Sequence, residues 1–175
     1  MGMELQILDW IQKLHSPGLD AFMRAVTALG NAGVIWILLA AVLLVRKKTR
    51  PAGVAVSAAL VLDLILCNGI LKPLFARVRP FDVNMAVELL IARPLDFSFP
   101  SGHTAAAFAS ASALGFAGEK RWCQAASILA VLMAFSRLYF YVPYPTDVLG
   151  GMLVGILCGF LGALLARKGR KVLGL

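Results

Sequence analysis

A chain of 175 residues is about one domain in size, and 60% of it is hydrophobic, with a mean hydropathy of +0.83. Soluble domains are roughly half apolar, so a soluble protein of this length could not bury that much apolar surface, whereas a membrane protein need not. The net charge of +8 does not point to nucleic acid, because the basic residues punctuate hydrophobic runs instead of lining one amphipathic face.

From the N-terminus, Met3, Ile7, Trp10, Ile11 and Leu14 form one helical stripe, with Glu4, Gln6, Asp9 and Lys13 elsewhere. That pattern suits a helix over residues 1–15 lying in the membrane interface, and equally one packed on the end of a bundle. Its charges also interrupt the apolar run that a cleavable signal peptide needs. Ser16-Pro17 then supplies a cap and a first-turn proline. Five segments are apolar enough to span: approximately 20–45, 51–71, 103–118, 122–141 and 147–166, the third with a short apolar core. Backbone groups in lipid must be paired within a segment, so the predicted fold is an all-α membrane bundle of five transmembrane helices preceded by the interfacial helix.

Three basic clusters separate or follow these spans: Arg46, Lys47, Lys48 and Arg50; Lys120 and Arg121; Arg167, Lys168, Arg170 and Lys171. Five spans put all three on one side, which the positive-inside rule makes cytoplasmic. Lys72, Arg79, His103, Arg137 and Asp147 then gather on the other side. The longest connection, 81–99, reaches that outer face and reads either as a partial lid or as simple interfacial packing. Cys67, Cys123 and Cys158 are odd in number and lack metal-ligand spacing, so they read as buried thiols. Asp63 interrupts the apolar stretch 60–70 and should face the bundle interior or a wet cavity, with Asn68 too far along the helix to be its direct partner.

Three separated pieces carry chemistry. The first is Lys72-Pro-Leu-Phe-Ala-Arg77-Val-Arg79-Pro80, where Lys72 and Arg79 are two helical turns apart and share a face if the helix continues past Pro73. The second, Pro100-Ser101-Gly102-His103, reads as a turn feeding a helix N-terminus, where free backbone N–H groups and the helix dipole favour an anion. The third runs from Ser136-Arg137 to Pro143 and Asp147. Together they resemble the signature of the type 2 phosphatidic acid phosphatase family: Lys-x6-Arg-Pro, Pro-Ser-Gly-His, and Ser-Arg-x5-His-x3-Asp. The chain matches at every motif position except one, because Pro143 stands where the family has its second histidine.

The resemblance implies a membrane phosphatase acting on a lipid phosphate or an isoprenyl pyrophosphate such as undecaprenyl pyrophosphate, needing no cofactor or metal and no nucleic-acid partner. It assigns phosphate binding to Lys72, Arg79, Ser101, Gly102 and Arg137, the general acid to His103, and the orienting carboxylate to Asp147. In the family the replaced histidine attacks phosphorus, and Pro143 has no atom that can do so. His15 is the other histidine of the chain and lies in no such motif. The resemblance therefore leaves two expectations: a phosphatase impaired by Pro143, or a non-catalytic lipid-phosphate binder or carrier that keeps the cradle. Vanadate-dependent haloperoxidases share this signature, but they bind vanadate through the same missing histidine. For Asp147 an alternative is an acidic residue favoured in the first turn of the last helix.

Overall fold

A computed structural model describes residues 2–172, and the described residues are helical with connecting turns and loops. Helix α1 covers Met3–Gln12, α2 Pro17–Leu29 and α3 Val34–Val45. Helix α4, Arg50–Asp63, runs on through a π-helical stretch, Leu64–Leu71, into the short α5, Lys72–Phe75. The one-turn α6, Pro80–Val83, precedes α7, Gly102–Phe116, followed by α8, Lys120–Tyr139, and α9, Pro145–Val172.

The all-α membrane architecture expected from hydropathy is present, but two of the five expected spans differ. Three runs are long and apolar enough to cross a membrane: Arg50–Val83, Lys120–Tyr139 and Pro145–Gly169. The span expected at 20–45 is instead two helices bent by 49°, which together make a fourth crossing when counted as one span. The bend has a local cause: Gly30, Asn31 and Gly33 are poor helix formers, and Ala32 and Gly33 take left-handed conformations at φ 51° and 68°. The span expected at 103–118 is α7, whose 15 residues extend only about 22 Å, less than the ~30 Å hydrocarbon core. Its alanines at 105, 107, 109, 111 and 113 are buried by neighbouring helices, so this segment meets protein more than lipid.

Packing around α7 depends on small residues. A Cβ at Gly155 of α9 would strike the Ala105 carbonyl oxygen and lie 2.9 Å from the Ala109 nitrogen. Helices in lipid associate through such close backbone approach, because there is little hydrophobic force between them. Gly155→Leu should therefore destabilise the fold by roughly 1–3 kcal/mol or more, the overpacking range. Thermal melting in detergent should show a clear drop; an unchanged melt would contradict the close approach.

Helix α1 packs on the end of the bundle through Leu5, Leu8 and Ile11, of which Ile11 belongs to the expected stripe. The other stripe residues, Met3, Ile7, Trp10 and Leu14, are exposed, and Leu5 and Leu8 form an apolar face beyond the expected one. Polar ties fix the contact: Tyr141 Oη donates to Asp9 at 2.7 Å and Gln12 Nε2 donates to the Tyr139 carbonyl at 2.9 Å. His15 stacks on Tyr139 with ring centroids 4.2 Å apart and pairs with Asp20 at 3.0 Å, which gives it a structural place. At the opposite end, Arg167 donates to the Phe116 carbonyl at 2.6 Å, which sets this arginine beside the α7–α8 turn.

Candidate active site

Lys72 ends up where it does because the second span stays helical from Arg50 to Phe75. Beyond it the expected helical phase fails. Ala76 adopts a left-handed φ of 43°, which ends the helix, and Arg79 is presented from an extended segment. The two cations still converge, but through a chain reversal instead of a shared helix face. Both are almost fully buried, and both reach the same carboxylate, that of Asp96. Arg79 Nη2 donates to Asp96 Oδ1 at 2.6 Å, its Nε donates to the Asp96 carbonyl at 2.7 Å, and its Nη1 donates to the Val142 carbonyl at 2.9 Å.

The second motif forms the expected turn into a helix. Ser101 is the N-cap of α7, with Gly102 and His103 in its first turn, so the free N–H groups of that end face the same region. Ser101 N donates to the Asp147 carbonyl at 3.0 Å, and the Ser101 hydroxyl lies 2.9 Å from that of Thr104. A Cβ at Gly102 would lie at ordinary contact distance, 3.4 Å from Asn68 Oδ1 and 3.7 Å from Lys72 Nζ, which places this residue beside the Lys72 ammonium. His103 Nε2 is 3.1 Å from Asn31 Oδ1.

Arg137 comes from the last turn of α8 and donates to Thr27 Oγ1 at 2.7 Å. Thr27 and Asn31 flank the break between α2 and α3, so the bend that split the first span also supplies partners for Arg137 and His103. No local motif marks either residue.

A cavity of about 1180 Å³ collects these groups. Lys72, Arg79, Ser101, Gly102, His103, Arg137 and Pro143 all line it. The wall continues between α3 and α4 past Leu60, Val61 and Leu64, giving an apolar arm below a cationic mouth. Asp63 lines that arm, as a wet-cavity reading requires; it is buried, and its Oδ1 has no hydrogen-bond partner among the described residues. The connection 84–99 covers the mouth, with Leu90, Ile91, Arg93 and Asp96 among the lining residues.

Asp147 does not line the cavity. It sits fully buried at the start of α9, where its Oδ2 accepts from the Tyr144 backbone N–H at 2.9 Å and from Ser98 Oγ at 2.5 Å. The Tyr144 bond is the reach-back of a capping box, a carboxylate three residues into a helix bonding the cap N–H. Its Oδ1 pairs with Arg77 Nη1 at 2.5 Å, and Arg77 also holds Glu4 at 2.6 Å and lies over the Tyr144 ring at 3.9 Å. Arg77 was visible in the first motif, but nothing in its spacing revealed this pairing. Pro143 itself is buried in the turn before α9, between Val142, whose carbonyl serves Arg79, and Tyr144, whose N–H serves Asp147.

Residues 52–171 match the PAP2 superfamily, and the chain belongs to that family. It is 33% identical to an undecaprenyl-diphosphatase of Sulfolobus acidocaldarius over 97% of this chain and 81% of that one. The fold superposes on the crystal structure of Aquifex aeolicus LpxE with a TM-score of 0.79 at 31% identity, covering 93% of this chain and 95% of that one. It also matches a transmembrane PAP2-type phosphatidylglycerolphosphate phosphatase from Bacillus subtilis, with a TM-score of 0.75 at 28% identity over 94% and 85% of the two chains.

Proposed function

We propose that this protein binds a lipid phosphate or isoprenyl diphosphate through a phosphatase site and that, with Pro143, it turns that ligand over only slowly. The observation that carries this reading is the cavity, which has three cations and a helix N-terminus at its mouth, an apolar arm behind them, and proline at the attacking position. Phosphoryl transfer is catalysed mainly by positioning and charge stabilisation, and that equipment is present. Lys72, Arg79 and Arg137 would hold the phosphate oxygens, with Ser101 and the α7 N-terminus adding neutral donors. His103 would protonate the leaving oxygen, held by Asn31 at 3.1 Å. The apolar arm along α3 and α4 would take the tail, consistent with relatives whose names specify polyprenyl and glycerophospholipid substrates.

A binder or carrier without turnover is the second reading, and Pro143 is what favours it. Asp147 supports it too, since its carboxylate is engaged by Arg77, Ser98 and the Tyr144 N–H without any histidine. Purified protein should bind a short-chain lipid phosphate in calorimetry while releasing phosphate at a small fraction of the rate of relatives with the histidine. Release at relatives' rates would remove the binder reading, and failure to bind would remove both.

The pocket is read as extracytoplasmic, with α1 at that interface and its exposed Met3, Ile7, Trp10 and Leu14 toward lipid headgroups. Single cysteines placed at Lys120 and at the exposed Leu95 of the mouth connection test the orientation in a cysteine-free background. An impermeant thiol reagent added outside should label position 95 and spare position 120. The opposite pattern would invert the topology.

A further inference from the structure

Asp96 belongs to none of the three motifs, yet its carboxylate is the group that the first-motif cations hold. Its Oδ2 meets Lys72 Nζ, and its Oδ1 accepts from Arg79 Nη2 at 2.6 Å. Arg79 further grips the backbone here, through Nε to the Asp96 carbonyl at 2.7 Å and Nη2 to the Phe97 carbonyl at 3.3 Å. To an ammonium and a guanidinium, a carboxylate presents the same paired anionic oxygens as one edge of a phosphate. Both cations are only 8% exposed, whereas Asp96 is 52% exposed, so the cations are fixed in the wall and the carboxylate reaches them from the mouth. Buried cations need a counter-ion, because an unpaired charge out of water is costly. Burial alone would raise the carboxyl pKa of Asp96, but the bonds to Lys72 and Arg79 hold it below the usual range, so it is ionised at neutral pH.

The segment that carries it can give way. Residues 84–99 contain no helix, and Leu95 beside Asp96 is 99% exposed, so at this tip Asp96 is held by its bonds to Lys72 and Arg79 and not by packing of its neighbour. We propose that Asp96 is a tethered counter-ion occupying the phosphate position in the free protein, and that a phosphate ligand binds by displacing it from Lys72 and Arg79. This rests on the reading of Lys72, Arg79 and Arg137 as a phosphate cradle. Asp96 therefore sets the affinity threshold of the pocket, since a ligand must outcompete a carboxylate that is always nearby.

Displacement has a quantitative signature. Apparent affinity is lowered by the fraction of molecules whose cradle is open, and that fraction does not depend on what is attached to the phosphate. Asp96→Asn keeps the shape but removes the charge, so it should tighten binding of inorganic phosphate and of a short-chain lipid phosphate by the same factor, about tenfold if one cradle in ten is open in the parent. Asp96→Ala should act in the same direction, which guards against an effect peculiar to the amide. Calorimetry in detergent on the full chain measures both ligands, and the thermal shift at saturating phosphate should grow in both variants. Equal affinities in parent and variants would overturn the displacement while leaving the cradle in place. Weaker binding in the variants would also overturn it, by making Asp96 a contributor to ligand binding. Binding in none of the three proteins would remove the cradle reading, and this inference with it.

Discussion

Replacing Pro143 with histidine should raise phosphate release from a short-chain lipid phosphate by up to about 10⁶-fold, the scale on which loss of a nucleophile is felt in a covalent enzyme. The parent retains charge stabilisation and a candidate acid in His103, so its residual rate should exceed that of water alone. It lacks an atom that can attack phosphorus and then leave. His103 cannot easily serve as attacker and leaving-group acid in one step, and Asp147 is held off the cavity by Arg77, Ser98 and the Tyr144 N–H. The substitution is compatible with the fold. Pro143 lies in a turn between α8 and α9, and its lack of an N–H serves no bond there that histidine would break. Asp147 already faces this turn, and a carboxylate has lone pairs beyond those engaged, so a new ring has an acceptor close by. Equal rates in the two proteins, with matching melts, would mean another nucleophile exists.

Arg137→Ala should weaken phosphate binding by about 10- to 100-fold, the usual loss when a charge-assisted bond is removed from a buried site. Arg137 is buried, lines the cavity and among the described residues is anchored through one side-chain bond, to Thr27 at 2.7 Å, so its other donors are available to an anion. Arg137→Lys should recover part of the loss, since it restores charge but not the planar fork. Loss of packing alone would be no better rescued by lysine than by a neutral residue of similar length, such as methionine. Calorimetry with inorganic phosphate, checked by thermal melting, measures the series, and an unchanged affinity in Arg137→Ala would remove this residue from the cradle.

Much of this site is legible in the chain before any coordinates. Hydropathy gave the all-α membrane architecture, with the expected spans at 20–45 and 103–118 differing in form, and charge counting over five expected spans put the motif residues on one face without using the motifs. The cavity brings Lys72, Arg79, Ser101, Gly102, His103, Arg137 and Pro143 together, while Asp147 stays outside its lining. What escaped has a common physical character. The 49° break at Gly30–Gly33 is signalled locally by two glycines and an asparagine, but they lie in a run apolar enough to mask them. The left-handed Ala76 carries no signal at all, because alanine is an unusual choice there, and it invalidates the helical-phase argument for Arg79. The partners Asp96, Thr27, Asn31 and Arg77 are joined to the site across long stretches of chain, and periodicity carries no information on such contacts. One missed signal was readable: Gly151, Gly155 and Gly159 recur every four residues in an apolar helix, the pattern of a close helix–helix approach.

Whether this intact phosphate cradle lacks an attacking group is decided by trapping in alkaline denaturant, which preserves a phosphohistidine. Phosphorus-labelled short-chain lipid phosphate is mixed with the parent and with Pro143→His, and each is quenched within the first turnover. Alkaline-stable, acid-labile phosphate on the protein, the behaviour of phosphohistidine, should be found in Pro143→His and not in the parent, although the parent binds the ligand. Covalent phosphate on the parent protein at comparable occupancy would mean that a nucleophile other than residue 143 attacks phosphorus.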